Sequence, residues 1–299
     1  MATLAIIGPT ASGKSALALE VARRRSGAGR ATELVAVDAF TAYRRMDVGT
    51  AKPAPEDRAE VVHHLLDLRE PWQQLSVAEF QALARGAIAD VRARGATPLL
   101  VGGSGLYFRA VVDPLTFPPT EASVRARVEQ RWRGEPAAGH AHLAAVDPDA
   151  AARIDPGNLR RIVRALEVIE LTGQPFSAYD DGWERYDSVY PDLEVAYLEP
   201  PPEQLKAAIR ARAERMVVGG LVAEARDLRA LDQPLSRTAA QAIGYAEAFA
   251  VLDGELDEAD LVAAIVSRTW RFAKQQRSWF RADPRCIPTQ PAEVLARWA

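Results

Sequence analysis

The sequence is poor in the residues that disulfide and metal chemistry need. One cysteine, Cys286, excludes an internal disulfide and a cysteine-rich zinc finger. The four histidines, His63, His64, His140 and His142, form two close pairs, neither with partners at zinc spacing. No apolar run approaches the length that crosses a bilayer, and the chain enters its first apolar stretch without a charged leader and cleavage site. The expectation is therefore a cytoplasmic protein without a membrane partner. Charge of one sign is also missing: the formal net charge is −3, which argues against coating nucleic acid by bulk electrostatics. What remains is an ordinary globular composition, 48% hydrophobic and 26% charged over 299 residues, enough for one large domain or a domain with an insertion.

The first strong signal is GPTASGKS, Gly8 to Ser15, with the spacing G-x-x-x-x-G-K-[ST]. Such a loop wraps an anion in backbone N–H groups while the lysine adds charge and the hydroxyl is offered to Mg²⁺. Its flanks fit. Leu4–Gly8 reads as a short buried strand and Ser15–Arg25 as a helix whose dipole points at the anion. The loop specifies a di- or triphosphate but not which one.

Further strands are expected at Leu34–Val37, Pro98–Val101 and Leu193–Leu198, alternating in the first half with helical stretches such as Val77–Arg94. This alternation predicts an α/β fold, a P-loop-containing parallel sheet covered by helices. Strand signals stop from about Pro114 to Ser188, between DPLTFPPT and the Tyr/Asp-rich DDGWERYDSVYPD. That segment reads as an all-helical insertion, giving a core over 1–113, an insertion over 114–188 and core completion over 189–299. Amphipathic helical segments are expected at Leu205–Leu231 and Glu258–Arg281.

Ligands of open parallel sheets bind at the C-terminal strand ends. Besides the P-loop, two segments reach that rim. One delivers Asp38 and, further along its loop, Lys52. The other, LLVGGSGLY, combines close-approach glycines with the hydroxyl of Ser104. Asp38 fits either an aspartate supporting Mg²⁺ through water or a general base beside a pyrophosphate. Spacing leaves both open. The His63–His64 pair reads as structural, with one ring bonded to backbone. Two segments defy the acidic total: Ser267–Arg281 holds five basic residues, four aromatics and no acid, and Arg153–Arg164 sets four arginines against Asp155. Both suit a phosphate backbone with unstacked bases, and equally a helix with a buried aromatic face and a solvated basic one.

Together these stretches resemble the tRNA dimethylallyltransferase, or tRNA isopentenyltransferase, family in its bacterial form. The resemblance is carried by GPTASGKS, the D-x-x-x-x-Y-R-x-M-D-V-G-T-A-K-P run from Asp38 to Pro53, HHLLD, SVAEF, LLVGGSGLYFRAV, RIVRALEVIELTGQPFS, the R-x-x-x-M-x-x-x-G-L segment from Arg212, QAIGYAEAF and RFAKQQRSWFR, in family order over nearly the whole chain. It implies an enzyme that moves a dimethylallyl group from its diphosphate to the exocyclic amine of the adenosine beside the anticodon, with Mg²⁺. The P-loop residues Gly8, Thr10, Ala11, Ser12, Gly13, Lys14 and Ser15 would hold the diphosphate, with Ser15 also on the metal. Asp38 would be the general base, and Ser104 and Arg212 complete the catalytic set. The adenosine must be flipped out of its stack. Arg160, Arg161 and Arg164, with Lys274 and Arg277, would contact the tRNA anticodon stem-loop. The expected state is a monomer.

The chain departs from the family pattern at several points. Asp38-Ala39-Phe40-Thr41 stands where relatives carry Asp-Ser-x-Gln or Asp-Ala-x-Gln, Ser104 replaces a common threonine, Pro156-Gly157-Asn158 differs from P-N-D or P-T-D, and Gln275 replaces a common arginine. These changes leave room for free adenine nucleotide as acceptor, and outside that chemistry for a P-loop kinase or a catalytically idle RNA-binding relative.

Overall fold

The computed structural model describes residues 2–179 and 182–299; Asp180 and Asp181, at the Tyr/Asp-rich boundary, lie outside the described residues. The chain divides into two compact units, one formed by residues 1–112 and 188–299 and the other by residues 113–187.

The larger unit is built on five parallel strands in the order β3-β2-β4-β1-β5: β1 (Thr3–Ile7), β2 (Thr32–Val37), β3 (His63–His64), β4 (Thr97–Gly102) and β5 (Leu193–Tyr197). Every residue of β1 is buried, as expected where a parallel sheet is covered on both faces. The short β3 carries no apolar alternation, and the sequence gives no strand signal there.

The alternating side chains of β1 define the two layers. Leu4 and Ile6 pack on α1 (Lys14–Gly27), while Ala5 and Ile7 face the cluster that contains Phe80, Ala84 and Ile88. Between β2 and β4 run α2 (Pro55–Glu60) and α3 (Val77–Ala93). Ser76 caps α3 by accepting the Glu79 N–H at 3.1 Å, which explains the S-x-x-E spacing of SVAEF. After β4, α4 (Gly105–Val112) buries Phe108 and Val111 against the second layer.

The smaller unit contains α5 (Ala122–Arg131), α6 (Pro136–Val146), α7 (Pro148–Arg153) and α8 (Leu159–Thr172) around Val128, Leu143, Ile162 and Leu166. Asp147 and Asn158 cap α7 and α8 through the Ala150 and Arg161 N–H groups. No strand interrupts these helices among the described residues.

The larger unit resumes at β5 and continues with α9 (Pro202–Val218), α10 (Leu221–Arg229), α11 (Arg237–Ala240), α12 (Tyr245–Leu252), α13 (Leu261–Ala282) and α14 (Pro291–Trp298). The amphipathic helical segment expected over Leu205–Leu231 divides at Gly219–Gly220 into α9 and α10, because two adjacent glycines remove side-chain support for the helical backbone. The break lets α10 pack beside α12 in a third cluster, where Tyr43 and Met46 from the loop after β2 are wholly buried. That loop is thus fastened to the C-terminal helices, and its Asp38–Thr41 end stands over the sheet rim.

Candidate active site

The P-loop leaves β1 and delivers Lys14 to the first turn of α1, where unpaired N–H groups and the helix dipole favour an anion. Beside it, at the C-terminal strand ends, lies a cavity of about 390 Å³. Thr10, Lys14, Ser15, Asp38, Gly103 and Arg212 are among its polar lining. Ile209, Met216, Ile243, Ile265 and Phe272 contribute an apolar wall from α9, α13 and the α11–α12 turn. One space therefore combines an anion cradle with a dry surface.

Its electrostatics are one-sided. Burial, reinforced by the Arg212 guanidinium, lowers the Lys14 ammonium from 10.5 to about 8, with Asp38 partly offsetting both. Arg212 is itself lowered by burial, again against the pull of Asp38. Both buried cations thus act on the Asp38 carboxylate. Their hydrogen bonds go to neutral groups: Lys14 Nζ donates to the Pro9 carbonyl at 3.0 Å, and Arg212 donates to Thr10 Oγ1 at 2.8 Å and to the Thr50 carbonyl at 3.3 Å. Asp38 Oδ1 accepts the Phe40 N–H at 2.8 Å, a local turn that fixes the carboxyl at the end of β2.

The other sequence-derived positions divide. Of the P-loop residues, Thr10, Lys14 and Ser15 line the cavity, whereas Gly8, Ala11, Ser12 and Gly13 shape the loop without lining it. Ser104 is not a lining residue; its hydroxyl accepts the Tyr107 N–H at 3.4 Å at the start of α4. Thr41, in place of the family glutamine, lines the cavity with a buried hydroxyl that has no hydrogen-bond partner. Lys52 also lines it, yet its ammonium is engaged by Asp47 and Asp67 at 2.6 Å each, so its charge is already matched. His63 bonds the Val61 carbonyl and His64 bonds Glu33, as a structural pair would.

Among the basic residues, Arg160 and Arg161 are exposed at the start of α8, and Lys274 is exposed on α13. Arg164 donates to the Pro118 and Pro119 carbonyls and to Glu167, and Arg277 donates to Glu199 at 2.9 Å. These two spend hydrogen bonds inside their own units, which their place in a basic run does not reveal.

Two contributions escape the sequence. Glu224 of α10 accepts the backbone N–H groups of Asp47, Val48 and Gly49 and the Tyr245 hydroxyl, anchoring the loop that contributes Thr50. A Cβ at Gly49 would fall 2.3 Å from the Tyr245 ring, so only glycine fits that approach. Gln276, near the end of α13, bonds both the P-loop and the turn after β4. An amide in a basic, aromatic run gives no hint of such a reach.

A P-loop on a parallel sheet, beside a cavity that sets Lys14, Arg212 and Asp38 against an apolar wall, defines a P-loop α/β protein. The sequence matches the family described as IPP transferase over residues 41–283. It is 51% identical to the tRNA dimethylallyltransferase of Kineococcus radiotolerans over 288 residues, covering 94% of this chain and 88% of that protein. It is 47% identical to that of Bifidobacterium longum, covering 94% and 84%. Among solved structures, the full-length tRNA isopentenylpyrophosphate transferase of Bacillus halodurans superposes with a TM-score of 0.67 at 33% identity, covering 99% of this chain and 93% of that one. The chain belongs to the IPP transferase family. The matched region begins at residue 41, so the P-loop and Asp38 stand outside it and rest on their own geometry.

Proposed function

We propose that this chain transfers the dimethylallyl group of dimethylallyl diphosphate to the exocyclic N6 of the adenosine next to the anticodon in tRNA, releasing pyrophosphate. The observation that carries the reading is the pair of buried cations, Lys14 and Arg212, both acting on the Asp38 carboxylate in a cavity with an apolar wall. A diphosphate matches the cations, and a five-carbon chain matches the wall. The relatives' names point to tRNA as the larger substrate, and the adenosine beside the anticodon is the acceptor we assign within it.

In this scheme the amine nitrogen bonds to C1 of the prenyl group as the C1–O bond breaks. The bonding pair leaves with the pyrophosphate, and the amine's proton passes to Asp38. Lys14, Arg212 and the N-terminus of α1 stabilise the charge growing on the leaving oxygen. Burial makes each worth more than it would be in water. The apolar wall keeps water from the electrophilic carbon, where hydrolysis would compete.

Ser15 and Asp38 are hard oxygen donors on the cavity lining, and among the described residues no cluster of three His, Cys, Asp or Glu side chains is placed to hold a metal alone. That set fits Mg²⁺, which keeps several waters and binds through one or two protein oxygens plus substrate phosphates. Ser15 would hold it, and its chemistry would be to neutralise the diphosphate.

The larger partner is the tRNA anticodon stem-loop. Exposed Arg160 and Arg161 in the helical unit, together with Lys274 on α13, support phosphate contacts within an otherwise acidic protein. As a tRNA-modifying enzyme the protein would work in the cytoplasm; among the described residues no helix is long and apolar enough to cross a membrane.

The test is incubation with dimethylallyl diphosphate, Mg²⁺ and either an adenosine-containing anticodon stem-loop or AMP, with the adenine product read by mass spectrometry. Prenylated stem-loop is expected. Product on AMP alone would move the acceptor to free nucleotide, and product on neither would refute the transfer.

A further inference from the structure

We propose that Gln276 is a positioning residue for the diphosphate, tying the P-loop to the glycine turn after β4 and so holding the anion cradle in its binding geometry. This rests on the prenyl-transfer reading and adds to it a residue with no charge and no proton to give.

The buried side of α13 runs Leu261, Ile265, Thr269, Ala273, Gln276 and Phe280, a core-facing stripe in which Gln276 is 5% exposed. A hydrocarbon there would serve packing alone, so a buried amide at that position needs a polar reason. Both ends of the amide have one. Its Oε1 accepts the Thr10 N–H at 2.8 Å, and its Nε2 donates to the Gly103 carbonyl at 2.6 Å. The partners fix which way the amide faces, because a donor waits at one end and an acceptor at the other.

The two ends fall on the two loops that frame the cavity. Thr10 is the P-loop residue whose hydroxyl also accepts from Arg212, so α9 and α13 hold it by two different atoms. At Gly103 a Cβ would come within 2.8 Å of Gln276 Nε2, 3.1 Å of the Gly8 carbonyl and 3.3 Å of Lys14 Nζ. The P-loop backbone, the lysine ammonium, the glycine turn and the amide therefore meet at one point. Loss of the amide leaves the half-buried Thr10 N–H and the buried Gly103 C=O without these partners, and both loops must shift to find others. Those shifts fall on the groups that surround the diphosphate. The exposed residues offered to RNA on the same helix, such as Lys274, are left in place.

Gln276→Leu removes both bonds at similar volume. Gln276→Glu keeps an acceptor for Thr10 and loses the donor to Gly103, while adding negative charge near Lys14. We would titrate each variant and the parent chain with Mg²⁺-pyrophosphate and, separately, with the anticodon stem-loop, and measure KM for each substrate alongside kcat. Thermal unfolding provides the check on folding. The expected result in both variants is at least a tenfold loss of pyrophosphate affinity and a matching rise in KM for dimethylallyl diphosphate, with stem-loop affinity unchanged within twofold. Pyrophosphate affinity equal to the parent's, or equal losses for pyrophosphate and RNA, would overturn the positioning role. Should the leucine variant fail to fold, Gln276→Asn, which stays neutral and is one methylene too short to reach both partners, decides by the same criteria. A parent chain that binds no pyrophosphate would instead refute the prenyl-transfer reading on which the role depends.

Discussion

Arg212 and Thr10, 202 positions apart, are joined by a 2.8 Å hydrogen bond from the guanidinium to the threonine hydroxyl. A buried guanidinium usually meets a carboxylate; this one meets neutral oxygens and feels Asp38 only through space. Its charge is therefore held ready for an anion. Arg212→Gln should weaken pyrophosphate binding and lower kcat/KM by about 10²- to 10³-fold, the range for loss of one buried charge-stabilising donor. Stem-loop affinity should hold in a binding titration.

Lys14 gives the site a pH limit. With its folded value lowered to about 8, the ammonium is charged below that pH and loses its proton above it. Pyrophosphate affinity of the free enzyme should fall as pH rises through about 8, by up to tenfold per unit. A bound anion favours the charged form, so the corresponding limb of kcat should lie at higher pH. Initial rates as a function of pH at low and saturating diphosphate separate the two limbs.

The same burial makes Lys14 a cost to the ligand-free fold. Because the unfolded lysine titrates near 10.5, the unfolded state holds the extra proton between about 8 and 10.5, and stability from this group rises with pH across that window. Below about 8 the cost of the buried charge is fully present. Lys14→Met should therefore stabilise the ligand-free protein at pH 7 by roughly 1–3 kcal/mol while removing pyrophosphate binding. Denaturant unfolding with and without pyrophosphate would reveal the trade.

The loop after β2 should depend on α10. Glu224 receives three consecutive backbone N–H groups, and Tyr245 donates to it at 2.5 Å while accepting from Gly49 at 3.1 Å. Burial and this carboxylate together raise the tyrosine's pKa, so it stays a neutral donor. Glu224→Ala leaves those N–H groups without their acceptor and should cost about 2–4 kcal/mol. Tyr245→Phe should cost about 1–2 kcal/mol, and chemical denaturation orders the pair.

Four of the five strands and the P-loop were legible because each depends on local pattern, whereas the two-residue β3 carries none. Buried strands read as short apolar runs, and the P-loop has a fixed spacing between strand and helix. Asp38 was legible as a rim carboxylate for the same reason. Gln276, Glu224, the Arg277–Glu199 pair and the bonds from Arg164 to the Pro118 and Pro119 carbonyls were not, since those partners lie at distant positions and only folding brings them together. Gln276 and Thr10 are separated by 266 positions. The α9–α10 break shows a different limit: amphipathic spacing persists across Gly219–Gly220 although the helix does not, so the spacing does not mark the break.

The most direct test of the central claim is single-turnover transfer from dimethylallyl diphosphate to an anticodon stem-loop, comparing the parent chain with Asp38→Asn, with stem-loop and pyrophosphate binding measured on the same preparations. A base on the attacking amine predicts transfer slowed by about 10²- to 10⁴-fold in the variant. RNA affinity should be unchanged and pyrophosphate affinity equal or tighter, because the carboxylate no longer competes for Lys14 and Arg212. Transfer at the parent rate, or RNA binding lost together with activity, would contradict the account.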